Sequence, residues 1–420
     1  MRIYLIGLTI LSSLTRATHL TSDYLDKVYD VMKQISTQSW ENGTEAEAIL
    51  QYKYPQYSVF SSSNPFPSSL SQGDFQDVFN IAQVTLNNRP SANNASANTT
   101  SASLLKDGAA GDPASLGISV LLANVSSGNA QVKGVGYGTA AEEELNYLLN
   151  DVPKSSSGAI SHRADQVQLW SDSISMVPPF LAYYGAVHNN QSLLQLAYTQ
   201  CALYRDVLRQ DSGLWAHIVM GTGASDPGLW LTGNGWAAMG MIRVLNTIRW
   251  SGFSNSMTSQ VSDLQSWVSE ILTASQGYMT KDGLLRNYID QSSSFEETAG
   301  SALIAAVALR MSTMGLTNQY ASQGIQLLSA VSAKVNSSGY LTQVVNPYDW
   351  SQTATQSPEG QSFVIMAYSA YNEWISQGQQ GDSDKNPLGN DSGALGGISR
   401  QYMGFVGFLT AVCAGVWTAL

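Results

Sequence analysis

From about residue 22 onward, apolar residues recur at helical spacing, and the periodic blocks are broken by short runs rich in Gly, Asn or Pro. Strand-like alternation is rare. The pattern predicts helices near 22–36, 44–52, 74–88, 112–125, 137–150, 168–187, 191–209, 233–250, 258–275, 294–314, 317–335 and 358–376. Gly213, Gly277 and Gly315 follow helical runs, where a residue without Cβ ends them readily. Asp112-Pro113 and Ser357-Pro358 put proline where a first helical turn tolerates it. The stretch from Ser91 to Ser103 is polar and of low complexity, and reads as a loop.

A longer period lies over the helical one. Asp112, Asp172, Asn234, Glu296 and Glu359 stand near the start of every second helix, at separations of about 60, 62, 62 and 63 residues. That is the length of a helix, a loop, a returning helix and a second loop. Helices so related run the same way, so their N-terminal ends gather at one end of the assembly. About six such hairpins closed into a ring make an all-α (α/α)6 barrel, with the small, apolar helices 294–314 and 361–376 at the crowded axis. The alternative is an open superhelical array, whose terminal repeats would need polar capping faces.

Composition narrows the setting. The 420-residue chain carries a net charge of −11 with only 12% charged residues, a polar but weakly charged make-up common among secreted proteins. Without a Lys/Arg run it has no electrostatic footprint for nucleic acid. Residues 1–17 have a basic start, an apolar run and a small-residue end at Ala17, and read as a signal peptide. Asn42, Asn94, Asn98, Asn124, Asn190, Asn336 and Asn390 each begin an N-x-S/T sequon. After the expected barrel, 18–378, comes a polar spacer, 379–401, and then an uncharged apolar tail, 402–420, which reads as a GPI-anchor signal or else as a single membrane span. Cys413 lies in that tail and would leave with it, so Cys201 would stand alone and no intrachain disulfide is expected. The four histidines lack metal-site spacing, and GxGxxG, P-loop and GxSxG patterns are absent, so neither a metal nor another cofactor is expected.

Closing the ring would gather Asp112, Asp172, Asn234, Glu296 and Glu359 around one mouth. The intervening loops bring His162 and Arg163, then His217 in GLWAHI, then Trp230, Thr232, Asn234 and Trp236 in DPGLWLTGNGW. Aromatic platforms, several carboxylates and few cations suit an oligosaccharide: ring faces stack on pyranose faces while Asp, Asn and Glu bind hydroxyls. Glycosidic chemistry needs one group holding a proton and one steering water. Asp172, flanked by Trp170, Met176 and Phe180, has an apolar setting expected to raise its pKa and keep the acid form available. Asp112 is the natural second carboxylate. Each residue also has a purely structural reading: Asp112 and Asp172 as helix caps, His217 as a satisfied loop histidine, Gly233–Trp236 as a turn, and Glu296-Glu297 as charge at a helix N-terminus.

The ordered set QLWSD (168–172), PFLAYYG (179–185), GLWAHI (213–218), GLWLTGNGW (228–236), FEETAGSA (295–302) and PEGQSF (358–363) resembles the unsaturated glucuronyl and rhamnogalacturonyl hydrolases of glycoside hydrolase families 88 and 105. The resemblance spans about residues 110–376. It implies an (α/α)6 barrel and hydration of the C4=C5 double bond of a terminal unsaturated uronic acid, as in pectin-derived oligosaccharides. It also implies that Asp172, in the W-x-D motif, protonates that bond and activates water, with Asp112 as the earlier active-site Asp and His217, Trp230 and Trp236 lining the sugar site. Thr232 departs from the family pattern W-x-R-G-N, whose Arg can meet the uronate carboxylate; a hydroxyl cannot make that bidentate charged pair, which leaves Arg163 or another basic group as a substitute, or else a different substrate. Two other functions fit the residues: a hydrolase of saturated wall glycosides in the same barrel, and a noncatalytic anchored sugar-binding protein.

Overall fold

The helical periodicity resolves into thirteen α-helices in the computed structural model, which describes residues 19–90, 100–128 and 130–378. The expected leader, spacer and tail lie outside these residues, as do the sequons at Asn94, Asn98 and Asn390. Outer and inner helices alternate along the chain. The pairs are α1 (Ser22–Ile35) with α2 (Ser39–Tyr52), α3 (Gln76–Asn88) with a broken inner helix, α4 (Gly111–Ala114) and α5 (Gly117–Ser127), and α6 (Tyr137–Asn150) with α7 (Val177–Val187). Then follow α8 (Gln191–Leu208) with α9 (Leu231–Trp250), α10 (Thr258–Gln276) with α11 (Thr298–Thr313), and α12 (Ala321–Ser332) with α13 (Pro358–Ser376). From α5 to α13 the inner helices pack on one another in order, and α13 comes round to pack on α2, which touches α4. Six hairpins therefore close into a ring, as the sequence period predicts, and the open array is excluded.

Side-chain size decides which helix goes inside. In α11 every residue from Thr298 to Ser312 is buried, and the run TAGSALIAAVAL offers small side chains all round, as a helix surrounded by others requires. The outer α10 buries only Leu264, Val268, Ile271, Leu272 and Ser275, a single stripe at helical spacing. At one end of the ring the buried Arg310 pairs with Glu373 and donates to Gln51 at 3.1 Å. Nearby, Arg243 meets Glu47 at 2.8 Å.

At the end where the inner helices begin, short antiparallel strand pairs order the loops, one of them joining two neighbouring loops. After β1 (Gln131–Val132) and β2 (Val135–Gly136), which form a small hairpin, β3 (Leu169–Trp170) pairs with β4 (Ile218–Val219). Next, β5 (Leu285–Arg286) pairs with β6 (Glu296–Glu297), and β7 (Val344–Asn346) with β8 (Asp349–Ala354). These pairings explain where the expected helix bounds move. The predicted 168–187 helix starts as β3, turns through a 3₁₀ segment at Ser171–Ser175, and becomes regular only at α7, whose first turn holds Pro178 and Pro179. The predicted 294–314 helix loses its first residues to β6. The sequon residue Asn42 lies inside α2 with its Nδ2 donating to the Gln38 carbonyl at 2.8 Å, whereas Asn190 and Asn336 sit exposed at a helix cap and a turn. Among the described residues no helix is long and apolar enough to cross a membrane.

One close approach holds the Asp172 turn in place. A Cβ on Gly240 of α9 would lie 1.9 Å from the Ile174 carbonyl oxygen, so only glycine lets α9 seat against the 3₁₀ segment. Ser175 then donates to the Trp236 carbonyl at 2.7 Å, and Arg243 donates to the Ser175 carbonyl at 2.9 Å. Gly240→Ala gains about 1 kcal/mol of helix propensity, yet the clash of a methyl with backbone costs about 1–3 kcal/mol. The expected outcome is a net loss of stability, read as a lower urea midpoint with an unchanged slope.

Candidate active site

A cavity of 380 Å³ opens among the loops at the start of the inner helices. Its walls carry the carboxylates Asp107, Asp112, Asp172 and Glu359, the bases His162 and Arg163, and the aromatic side chains of Trp40, Trp170, Trp230, Trp236, Tyr348 and Trp350. Two residues 60 positions apart in sequence, Asp112 on α4 and Asp172 on the 3₁₀ turn, thus face one space.

Asp172 is held by groups from three loops. Its Oδ2 lies 3.3 Å from the Ser171 hydroxyl and 3.4 Å from Nε2 of His217, the latter a charge contact longer than an ordinary hydrogen bond. His217 lies behind the cavity wall and is buried. Its Nδ1 donates to Asp226 Oδ2 at 2.9 Å. That same oxygen accepts from the Tyr288 hydroxyl at 2.8 Å, and Asp226 Oδ1 accepts from the Gly228 amide at 3.0 Å. Around the imidazole stand Trp230, tilted with centroids 4.2 Å apart, Trp350, edge-on at 4.6 Å, and Trp170, edge-on at 5.7 Å. On the other side Asp112 Oδ1 lies 3.5 Å from His162 Nε2, and His162 stacks on Trp170 at 4.6 Å.

These neighbours divide the two acids. Burial, reinforced by the Asp107 and Asp172 carboxylates, raises Asp112 well above the usual carboxylate range, and Arg163 offsets this only in part. Burial also pushes Asp172 upward, but the His217 and His162 rings outweigh it and hold Asp172 below that range. The expectation that its apolar setting raises Asp172 is therefore corrected. Trp170 and Met176 line the cavity as the sequence suggests, but His217 behind the wall, with His162 on it, decides the sign. His217 itself is pulled down by burial and raised by Asp172 and Asp226, with a net rise. Burial lowers His162 to about 4, so it stays neutral at ordinary pH.

The other expected site residues separate into two groups. Trp170, Trp230, Trp236, Thr232, His162 and Arg163 all line the cavity. The Thr232 hydroxyl is buried there without a hydrogen-bond partner, and Arg163 is half-turned to Asp165, 3.1 Å away. Asn234 and Glu296 do not line it. Asn234 is fully buried and clamps backbone: its Oδ1 accepts from the Trp215 amide at 2.8 Å, and its Nδ2 donates to the Trp215 and Trp230 carbonyls, each at 2.9 Å. Glu296 sits in β6, where strand pairing turns it away from the cavity, and its carbonyl accepts from Gln343. Its neighbour Glu297 caps α11, accepting from the Ala299 and Gly300 amides at 2.7 and 2.6 Å.

Several cavity residues escape the sequence reading. Trp350, Tyr348 and Pro347 come from the β7–β8 hairpin, a stretch between two predicted helices with no helical period to mark it. Trp40 reaches in from α2 and donates to Glu359 at 2.6 Å; Glu359 also accepts from Ser357 at 2.9 Å and is raised, chiefly by burial and then by Glu41. Asp107 accepts from Ser39 and from the Ala109 amide. Asp226 stands in the quoted loop, but nothing in its local sequence shows that it pairs with His217. Among the described residues no His, Cys, Asp and Glu group is arranged to hold a metal ion.

Comparison with known proteins adds to this geometry. The model of Glycosyl Hydrolase Family 88 matches residues 130–370. No curated protein sequence matches the chain significantly. Among solved structures, a possible member of glycoside hydrolase family 105 from Salmonella enterica serovar Paratyphi A is 14% identical with a TM-score of 0.66, covering 88% of this chain and 99% of that one. An unsaturated glucuronyl hydrolase from Bacillus sp. GL1, described as responsible for the degradation of glycosaminoglycan, is 12% identical with a TM-score of 0.56, covering 86% and 96%. One described as specific for heparin is 11% identical with a TM-score of 0.57, covering 85% and 99%. At these identities the likeness is one of fold.

The Asn234 clamp has a measurable consequence. Asn234→Ala strands the buried Trp215 amide and carbonyl, while the Trp230 carbonyl keeps the backbone amide of residue 234, and the expected loss is about 2–4 kcal/mol of stability in denaturant unfolding. A purely substrate-binding Asn would leave stability unchanged.

Proposed function

The chain belongs to glycosyl hydrolase family 88, and on that premise we propose that it releases a terminal 4,5-unsaturated uronic acid from pectin-derived or related oligosaccharides by hydrating the C4=C5 double bond. The observation that carries this reading is the unequal pair on one cavity: Asp112, raised well above the usual carboxylate range by burial and neighbouring carboxylates, and Asp172, held below it chiefly by His217. The ring oxygen on C5 makes the double bond a vinyl ether, which a buried carboxylic acid can protonate at C4. Positive charge then develops at C5 and the ring oxygen, close to the acidic walls, which stabilise it. Asp172 takes a proton from the water that adds to C5. The resulting hemiketal opens and the aglycone leaves. Two carboxylates thus share the tasks that the family resemblance puts on Asp172 alone.

Substrate features support the same reading. Tryptophan faces line the walls for stacking on sugar rings, and the unpartnered Thr232 hydroxyl can bond a sugar hydroxyl. Among the described residues Arg163 is the one Arg or Lys lining the cavity and the natural partner for a uronate carboxylate. A hydrolase of saturated glycosides on the same walls is the second reading. Its support is Thr232, an uncharged residue in an acidic cavity that would suit a neutral sugar. The leader and apolar tail read from the sequence support a secreted protein held at the cell surface by a lipid anchor.

Incubation with oligosaccharides from pectin or rhamnogalacturonan lyases should remove the ultraviolet absorbance of the C4=C5 bond. Activity on intact saturated polymer with none on these oligomers would select the second reading. Asp172→Asn and Asp112→Asn should each lower kcat by about 10²–10⁴. Asp112→Asn retaining more than about a tenth of the rate would return both tasks to Asp172.

Arg163→Ala should raise KM for unsaturated uronides about tenfold with kcat little changed, since a charged hydrogen bond made equally in ground and transition states is lost. The pH profile follows from the two acids. Activity rises as Asp172 loses its proton, below the ordinary carboxylate range, and falls only when Asp112 loses its own, well above it.

A further inference from the structure

We infer that Asp226, anchored by Tyr288, is a positioning residue that holds His217 as an imidazolium against Asp172 and so keeps Asp172 ionised for its part in the reaction. The inference rests on the role given to Asp172 above, but the arrangement that carries it is geometric. His217 lies between two carboxylates, with Asp226 Oδ2 at 2.9 Å from Nδ1 and Asp172 Oδ2 at 3.4 Å from Nε2. An ionised carboxylate only accepts, so the ring proton on Nδ1 points at Asp226. Nε2 can then carry a proton toward Asp172 only if the ring is charged. Nε2 has no ordinary hydrogen-bond partner, and the ring is buried at 1% exposure, so water does not supply one.

The surroundings leave that charge to Asp226. The ionisable groups near the ring are Asp172 on the 3₁₀ turn, Asp226 and Tyr288 on two further loops, and His162, stacked on Trp170, whose charge would oppose that of His217. The other faces are Trp170, Trp230 and Trp350, which carry no charge and exclude solvent. Burial alone favours a neutral imidazole, and one carboxylate at 3.4 Å without a formed hydrogen bond is opposed by that burial. Asp226 adds the second charge and a formed hydrogen bond. Its own orientation is fixed by the Tyr288 hydroxyl on Oδ2 and the Gly228 amide on Oδ1, so it cannot swing away. Asp226 lines no part of the cavity, so it acts only through His217.

The test reads the ring directly. Proton–carbon NMR of the four histidines, with the His217 signal assigned by His217→Gln, gives its titration in the full-length protein. In the wild type His217 should titrate above its ordinary value. In Asp226→Asn the midpoint should fall by about one unit or more, while Asp226→Glu, which keeps the charge, should stay within about half a unit of wild type. On unsaturated oligosaccharides, Asp226→Asn should move the acid limb of the kcat/KM profile upward by about one unit and leave the alkaline limb in place. A wild-type ring titrating below its ordinary value overturns the inference without any variant. So does Asp226→Asn titrating with the wild type, or Asp226→Glu falling as far as Asp226→Asn. If no unsaturated oligosaccharide is turned over, the proposed activity fails while the ring titration still decides the role of Asp226.

Discussion

Two carboxylates facing one enclosed cavity cannot both keep their charge unless a cation stands close to one of them. Desolvation and mutual repulsion push both toward the neutral form, and whichever acid gains a positive partner ionises first. In this protein the partner goes to Asp172. His217 stands behind it, itself held by Asp226. Asp112 has a neutral His162 beside it and two carboxylates as neighbours, and Arg163 offsets them only in part, so its carboxyl stays well above the usual range. The chemistry open to the site follows from this asymmetry: one group to give a proton and one to take it.

The asymmetry depends on ring closure. Asp112, Asp172, His217 and Asp226 belong to three different hairpins, and they meet only because the inner helices all begin at the same end. A strand pair and an isolated bridge then fix one loop against the next, β3 on β4 and Trp230 on Tyr288, while Ile218 on Asp226 folds the α8–α9 loop on itself. The Ser171 amide donates to the carbonyl of His217 itself at 2.9 Å, so the turn bearing Asp172 and the loop bearing its partner move as one piece. Polar groups that look catalytic in sequence serve this framework. Asn234 ties the start of α9 to Trp215, and Glu297 caps α11.

The aromatic lining has the same origin. Trp170 comes from β3, Trp230 from the start of α9, Trp40 from α2, and Trp350 from the β7–β8 hairpin. Trp170, Trp230 and Trp350 serve two purposes at once. They offer flat apolar faces to a sugar, and they keep water from His217, so that the charges of Asp172 and Asp226 act on it at low dielectric. A sugar site and a tuned acid pair are thus built from one set of side chains.

By itself the sequence determined the hairpin period and part of the cavity wall, while closure of the ring over an open array was decided by the packing of α13 on α2. Helical spacing and the near-62-residue repeat are local or periodic features, and Asp112, Asp172, His162, Arg163, Trp170, Trp230, Thr232 and Trp236 could be placed from them. The tertiary structure alone decided which acid is charged, because that sign depends on His217 and Asp226 approaching from other hairpins, and no local pattern encodes such distances. It also decided that Asn234 and Glu296 stay out of the cavity: backbone groups left over where strands meet helices claim Asn234, and pairing with β5 turns Glu296 aside. The hairpin bearing Trp350 was illegible for a related reason. β7 is only three residues long and β8 is mostly exposed, and their pairing with each other gives them a defined shape.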